Sequence, residues 1–358
     1  MMRPKFIFLI VFLFNLKSVA ETELFYRSVR GLAMGGAQIS AVNDETTVLI
    51  NPAALGKLRG NTLSFQDIEV ELNADTLGLI GSDLMRAYEP QKVLDDLIPN
   101  PELIYHAKVQ SFIAYARRNF SLGFYGNYRT DAQIDSDPTN LTPFKIDYKN
   151  DLAIVLGLNK RFLEGRVKVG VNVRAINRME LKDELPFVND LTLGSYGVEG
   201  IGIASDIGLQ LALPWKWLPT LSGVLRDVGG TSYTLEEGIS NNRNIGAPED
   251  TPQTLDVGFA LFPIKWNYSR FTITGEYRDV LTESELKNKF SRYHLGMEWN
   301  SYDKFFIRAG MNQGYWTAGV ELAFSKFQLQ LASFGQEVGD QLEQKESRNF
   351  VVKFTVRF

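Results

Sequence analysis

Along much of the chain, apolar and polar residues take turns one for one. From Asn349 to Phe358 the even positions are Phe350, Val352, Phe354, Val356 and Phe358, while Asn349, Lys353, Thr355 and Arg357 are polar and Val351 is the exception. Period two is the mark of a strand with unlike faces. Val167, Val169, Val171, Val173 and Ala175 likewise alternate with Lys168, Gly170, Asn172 and Arg174. The same holds for Phe271 to Arg278, Tyr293 to Asn300 and Phe305 to Asn312, and more weakly for 108–117, 220–228 and 252–262.

These segments place fourteen strands, at about 61–72, 107–117, 120–130, 148–160, 166–179, 200–213, 220–228, 252–262, 270–280, 290–300, 304–312, 315–324, 327–336 and 347–358. The connections then fall into two classes. Arg118-Asn119, 161–165, 214–219, 263–269, 301–303 and Ser325-Lys326 are short, whereas the alternate ones are long, except Gln313-Gly314. Short turns at one end and long loops at the other fit an all-β, fourteen-stranded antiparallel transmembrane β-barrel, apolar outside and polar within. Trp215, Trp217 and Trp266 fall in short turns, with Trp299 and Trp316 near strand ends, where an amphipathic ring sits at headgroup level.

Residues 1–20 carry Arg3 and Lys5, an apolar run Phe6 to Leu16, and Ser18-Val19-Ala20, the plan of a cleaved secretory signal. After it no apolar run approaches the roughly 20 residues of a spanning helix. Cysteine is absent and net charge is -4, with no block of like charges, so disulfides, thiolate metal sites and nucleic-acid binding are all unsupported.

Residues 21–60 do not alternate. Arg30 to Ala37 is small and glycine-rich, and Asn43-Asp44-Glu45 and Asn51-Pro52 are turn or cap signals. A fourteen-stranded barrel leaves a lumen that about forty residues can occupy. The expected organisation is therefore a signal (1–20), an N-terminal hatch or plug (21–60), and a barrel (61–358) whose outer loop 73–106 is partly helical. Gly35-Gly36 is not a phosphate loop, because no strand precedes it and no Lys-Ser/Thr pair follows.

Ser28 to Ala37, then Asn43-Asp44, then Asn51-Pro52-Ala53-Ala54-Leu55, resembles the hatch of the FadL-like superfamily, which includes long-chain fatty-acid transporters, the OMPP1/FadL/TodX type and PorV-type proteins. Arg226 to Gly230, Glu276 to Val280 and Arg308 to Asn312 are also similar to that group. The resemblance implies a fourteen-stranded outer-membrane barrel with an N-terminal hatch, and passage of a hydrophobic ligand beside or past it. Its ligand and hatch residues would be Gly35, Gly36, Asn51, Pro52 and Ala53. Asn51-Pro52 either holds a bend where a hatch opens or merely packs the segment. The terminal Phe358 is similar to the signal read by outer-membrane assembly machinery.

Three further groups of residues stand out. Leu84, Met85, Tyr88, Leu94, Leu97 and Ile98, with Val93, make loop 73–106 apolar, and Pro90 and Pro99 limit it to short helices. Such a loop is an exposed landing groove for an apolar ligand or a lid over the mouth. Glu276, Glu298, Arg308 and Glu321 project inward as a polar conduit, or as ion pairs with one another and with Arg27, Arg30, Asp44 or Glu45. His106 and His294 stand on separate strands, which gives no support to a metal site or to enzymatic hydrolysis, and no cofactor is implied.

Two functions follow. The first is passive passage of hydrophobic small molecules across the outer membrane. The second is a PorV-type scaffold for a secreted protein, served by loops 131–147, 180–199 and 229–251 and acids such as Asp135, Asp137, Glu236 and Glu237. A general porin is disfavoured by the plug.

Overall fold

The computed structural model describes residues 24–80, 84–135, 141–234, 239, 246–263, 268–281, 292–337 and 346–357, with Gln66, Leu84 and Met85 described in backbone only. Among them fourteen strands close into one antiparallel barrel. They are β1 (Thr62–Asn73), β2 (Ile104–Arg117), β3 (Phe120–Ile134), β4 (Phe144–Phe162), β5 (Val167–Leu185), β6 (Val198–Ala212), β7 (Thr220–Arg226), β8 (Thr254–Leu261), β9 (Ser269–Tyr277), β10 (Tyr293–Ser301), β11 (Phe305–Asn312), β12 (Tyr315–Ala323), β13 (Phe327–Glu337) and β14 (Glu346–Arg357). Each pairs with its neighbours in sequence, and β14 closes the ring on β1. Closure leaves no strand edge, the condition for a strand-built wall in hydrocarbon.

The alternation sorts into two faces as the sequence implies. Phe350, Val352 and Phe354 are exposed at 47%, 47% and 41%, while Asn349, Lys353 and Thr355 are buried. Ile113, Phe124, Ile154 and Ile203 lie along one belt of the outer surface, and Leu295, Ile307, Val320 and Leu331 continue it on the far side. The exception Val351 has a physical reason. It faces inward with its strand's polar residues, but packs there against Val29, Leu32, Ala33 and Phe334.

Four strands are longer than the pattern suggests. β2 starts at Ile104, β3 runs to Ile134, β4 starts at Phe144 and β5 runs to Leu185, so parts of the expected loops 131–147 and 180–199 are strand. Polar residues there face the mouth of the barrel, and a run so rich in charge has the composition of a loop.

Their outward residues also behave differently from the belt. Pairing through β2, β3, β4 and β5 shows no shift, so Ala107, Thr130, Tyr148 and Leu181 form one row on the same outer face as Ile113, Phe124, Ile154 and Ala175. Yet Tyr105, Ala107, Ala132, Ile134, Phe144, Ile146, Tyr148 and Leu181 are buried, in one cluster with Ile80, Val93, Leu94 and Leu97. The cover is loop 74–103, which holds the helices Ala74–Ile80 and Pro90–Leu97 and a 3-10 turn Leu84–Tyr88. It wraps the outside of the wall as a collar. No described helix is long and apolar enough to cross a membrane.

Candidate functional site

The lumen is occupied from residue 24 to about 60. This segment contains two short helices, Val29–Ala33 and Thr47–Ile50, and a 3-10 helix Pro52–Lys57. Ser28 caps the first helix by accepting from the Gly31 N–H at 3.0 Å, and its hydroxyl donates to Gln38 at 2.7 Å. Asn51 joins the two halves. Its side-chain oxygen accepts from the Ala53 N–H at 3.0 Å, and its amide donates to the Ile39 carbonyl at 2.9 Å. Pro52 follows at the start of the 3-10 helix, where a missing N–H does no harm.

Two glycine floors let the segment's backbone touch the wall. On β4, β5 and β6, Gly157, Gly170 and Gly208 face Val48, Pro52 and Asn51-Ala53 so closely that a Cβ would collide with each. On β10, β11 and β12, Gly296, Gly310 and Gly319 do the same beneath Met34, Gly35 and Ala33. Gly170 pairs directly with Gly208, and Gly296 with Gly310, while Gly157 and Gly319 stand two residues out of register on the next strand. Gly35 and Gly36 add positive φ values of 63° and 91°, conformations that suit glycine.

The two floors hold the segment by different chemistry. Beside the first, Asn159 donates to the Ala53 carbonyl at 2.9 Å and Asn172 to Val48 at 2.6 Å, but most of the contact is an apolar core. Val48, Leu49, Ile50, Leu55 and Leu58 meet Phe112, Tyr125, Val155, Ile176 and Val224 there. Around the second, polar groups dominate. Thr317 accepts from the Gly35 N–H at 2.9 Å and donates to Ala33 at 3.0 Å, and Arg278 donates to Gly36 at 2.7 Å. Glu276 accepts from the N–H groups of Gln38 and Ile39 at 2.9 and 3.1 Å.

Below that floor lies an ion-pair network. Arg30 reaches Glu298 with two bonds of 2.9 and 2.8 Å, Arg308 donates to the same carboxylate at 2.7 Å, and Arg308 also pairs with Glu321. Glu45 pairs with Arg357 at 2.7 Å. Burial opposes each charge on the segment. Against it, Glu298 and Asp44 hold the Arg30 guanidinium above its ordinary value, and Arg30 with Arg357 holds the Asp44 carboxyl below the usual range. For Glu45 burial wins over Arg357 and the carboxyl is raised. A cavity of about 880 Å³ opens beneath, at the short-turn end, lined among others by Arg30, Asp44, Arg59, Phe306, Arg308 and Glu321.

Glu298, Arg308 and Glu321 thus come together, while Glu276 stands apart, paired with Arg278 at 2.9 Å and capping the segment. Gly35 and Gly36 lie on one floor and Asn51, Pro52 and Ala53 on the other. The apolar loop residues require a correction. Leu94 and Leu97 are fully buried against the outer wall, so they form no exposed groove, and Tyr88 is partly buried on Tyr128; only Ile98 is exposed, at 48%. The reason is that the extended strands β2 to β5 offer their own apolar outer face to the loop. The side chains of Leu84 and Met85 lie outside the described set, as do residues 1–20, Phe358, Trp266, Asp137, Glu236 and Glu237.

The floor glycines were not singled out from the sequence. Their signal was present: glycine at an inward position within a strand marks another backbone close by.

Solved structures share this architecture. The CymD monoaromatic hydrocarbon channel matches with a TM-score of 0.56 at 13% identity, over 94% of this chain and 98% of that one. A TodX deltaS2S3 mutant monoaromatic hydrocarbon channel gives 0.55 at 11%, over 91% and 97%. The Pseudomonas putida toluene transporter TodX gives 0.53 at 11%, over 96% and 98%. At such identities the likeness is one of fold. No protein-family model and no curated protein matches the sequence.

Proposed function

We propose that the chain is an outer-membrane channel for small hydrophobic molecules, with residues 24–60 serving as its hatch. The observation that carries this is a closed barrel with an apolar outer belt whose lumen is filled by its own N-terminal segment. A filled lumen suits a selective passage and not a general porin. The fold shared with the monoaromatic hydrocarbon channel CymD and the toluene transporter TodX supports a small hydrophobic cargo, and long-chain fatty acids enter this reading through the resemblance of the hatch segment. Gly35, Gly36, Asn51, Pro52 and Ala53 are the hatch residues of this reading, and outer-membrane lipid is its surrounding.

A second reading, a PorV-type scaffold that binds a secreted protein, draws on the mouth at the long-loop end. There Lys108, Arg129, Arg178 and Glu180 line the inner wall, a charged entrance that an apolar solute enters at a cost. Uptake of labelled toluene and of a labelled fatty acid by vesicles holding the purified barrel separates the two. Uptake above empty vesicles is expected. Uptake equal to empty vesicles, with a stable protein partner co-purifying, would give the scaffold the better claim.

A further inference from the structure

The collar on the outer wall has a position that can be measured along the strands. A tilted strand climbs about 2.5 Å of membrane height per residue, and an outer-membrane apolar band is about 25 Å tall. β3 begins at Phe120, near the short-turn end, so eight residues put Tyr128 about 20 Å up and ten put Thr130 and its partner Tyr148 about 25 Å up. With Phe120 taken as the lower border, that is the upper border of the hydrocarbon.

The collar touches the wall at this height. Tyr88, in the 3-10 turn Leu84–Tyr88, packs against Tyr128 with ring centroids 3.9 Å apart and the planes tilted by 48°, and Tyr128 meets Tyr148 edge-on at 5.0 Å. The Ala87 carbonyl accepts from Thr130 at 3.2 Å. Tyrosine is the residue of the interfacial girdle, with its ring on the apolar side and its hydroxyl toward water. Arg86, in the same turn, pairs with Asp96 of the helix Pro90–Leu97, so the turn carries charge as well as an aromatic ring. That helix is amphipathic: Val93, Leu94 and Leu97 press on the wall, and Asp95 is exposed on the opposite side.

We infer that the turn Leu84–Tyr88 is a membrane-interface element, resting on the boundary between acyl chains and headgroups of the leaflet at the long-loop end. The partner is lipid. The covered rows of β2 to β5 run into the lipid-facing belt on one and the same strand face, and the turn closes the lower edge of the cover. The collar ends where the bilayer begins.

The chain has no cysteine, so single labels report cleanly. Arg86→Cys, Tyr88→Cys, Phe124→Cys and Asp95→Cys, each carrying an environment-sensitive fluorophore in reconstituted vesicles, are read against lipids with a nitroxide near the headgroup and against aqueous iodide. Labels at 86 and 88 should be quenched several-fold more by shallow nitroxide than the label at 95, and less by iodide. The label at 124 should respond best to a nitroxide deeper in the acyl chain. If labels at both 86 and 88 follow iodide like that at 95 and ignore the nitroxide lipid, the turn stands in water and the inference is overturned. Arg86→Cys leaves the Tyr88–Tyr128 contact in place, so the result does not depend on Tyr88→Cys packing normally.

Discussion

The barrel has two unlike halves. β2 to β6 are 14 to 19 residues long, and β7 to β13 are 7 to 11. The long half carries an apolar patch on each side of its wall, with charged residues such as Lys108, Arg174 and Arg178 elsewhere on its inner face. Inside, Phe112, Tyr125, Val155 and Ile176 pack on the N-terminal segment; outside, Phe144, Ile146 and Tyr148 pack on the collar. The short half is polar within, where Glu276 and Glu298 hold the same segment by hydrogen bonds and ion pairs above a cavity, and Arg308 braces Glu298 and pairs with Glu321. An anchor built from apolar packing faces one built from charge. The rule that a barrel is greasy outside and polar inside therefore holds only where lipid and water are the neighbours.

The largest change should come from breaking the charged side. Glu298→Ala leaves Arg30 and Arg308 without their shared carboxylate in a buried place, a loss of about 3–5 kcal/mol. The urea midpoint of the barrel refolded in lipid vesicles reads it; an unchanged midpoint would mean that water entering the cavity already screens the network. On the apolar side, Leu55→Ala and Leu94→Ala both empty fully buried sites, each at about 2–5 kcal/mol. They should differ in place. Leu55→Ala should raise protease sensitivity in residues 24–60, and Leu94→Ala in the collar alone. Loss of protection in both regions from either change would show that the two cores are one cooperative unit. A smaller effect, about 1–3 kcal/mol, is expected of Gly170→Val, whose side chain collides with the Pro52 carbonyl. Hydrogen exchange at the Ala53 and Ala54 amides should speed up, and unaltered exchange would mean that the segment can lift off that floor without loss.

Within the short half, β9 to β13 were the more legible from sequence. They alternate cleanly, where β7 and β8 do so only weakly, and the inward Glu298, Arg308 and Glu321 lie close to one another and to Arg30. The long half misled where the neighbour could not be known. Phe144, Ile146 and Tyr148 alternate with Lys145, Asp147 and Lys149, but alternation does not say whether lipid or a helix covers the greasy face. For the same reason Leu94 and Leu97 looked like an open groove, because an amphipathic helix shows its apolar stripe and not what it lies on. Val351 and Phe112 broke the pattern from inside, where apolar residues mark the footprint of the N-terminal segment.

Single-channel conductance tests most directly whether that segment fills the lumen from both halves. In planar bilayers the whole chain should show no steady ion current, and a chain lacking residues 24–58 should open a large and lasting one. A steady, porin-like current through the whole chain, or a shortened barrel that stays closed, would contradict it.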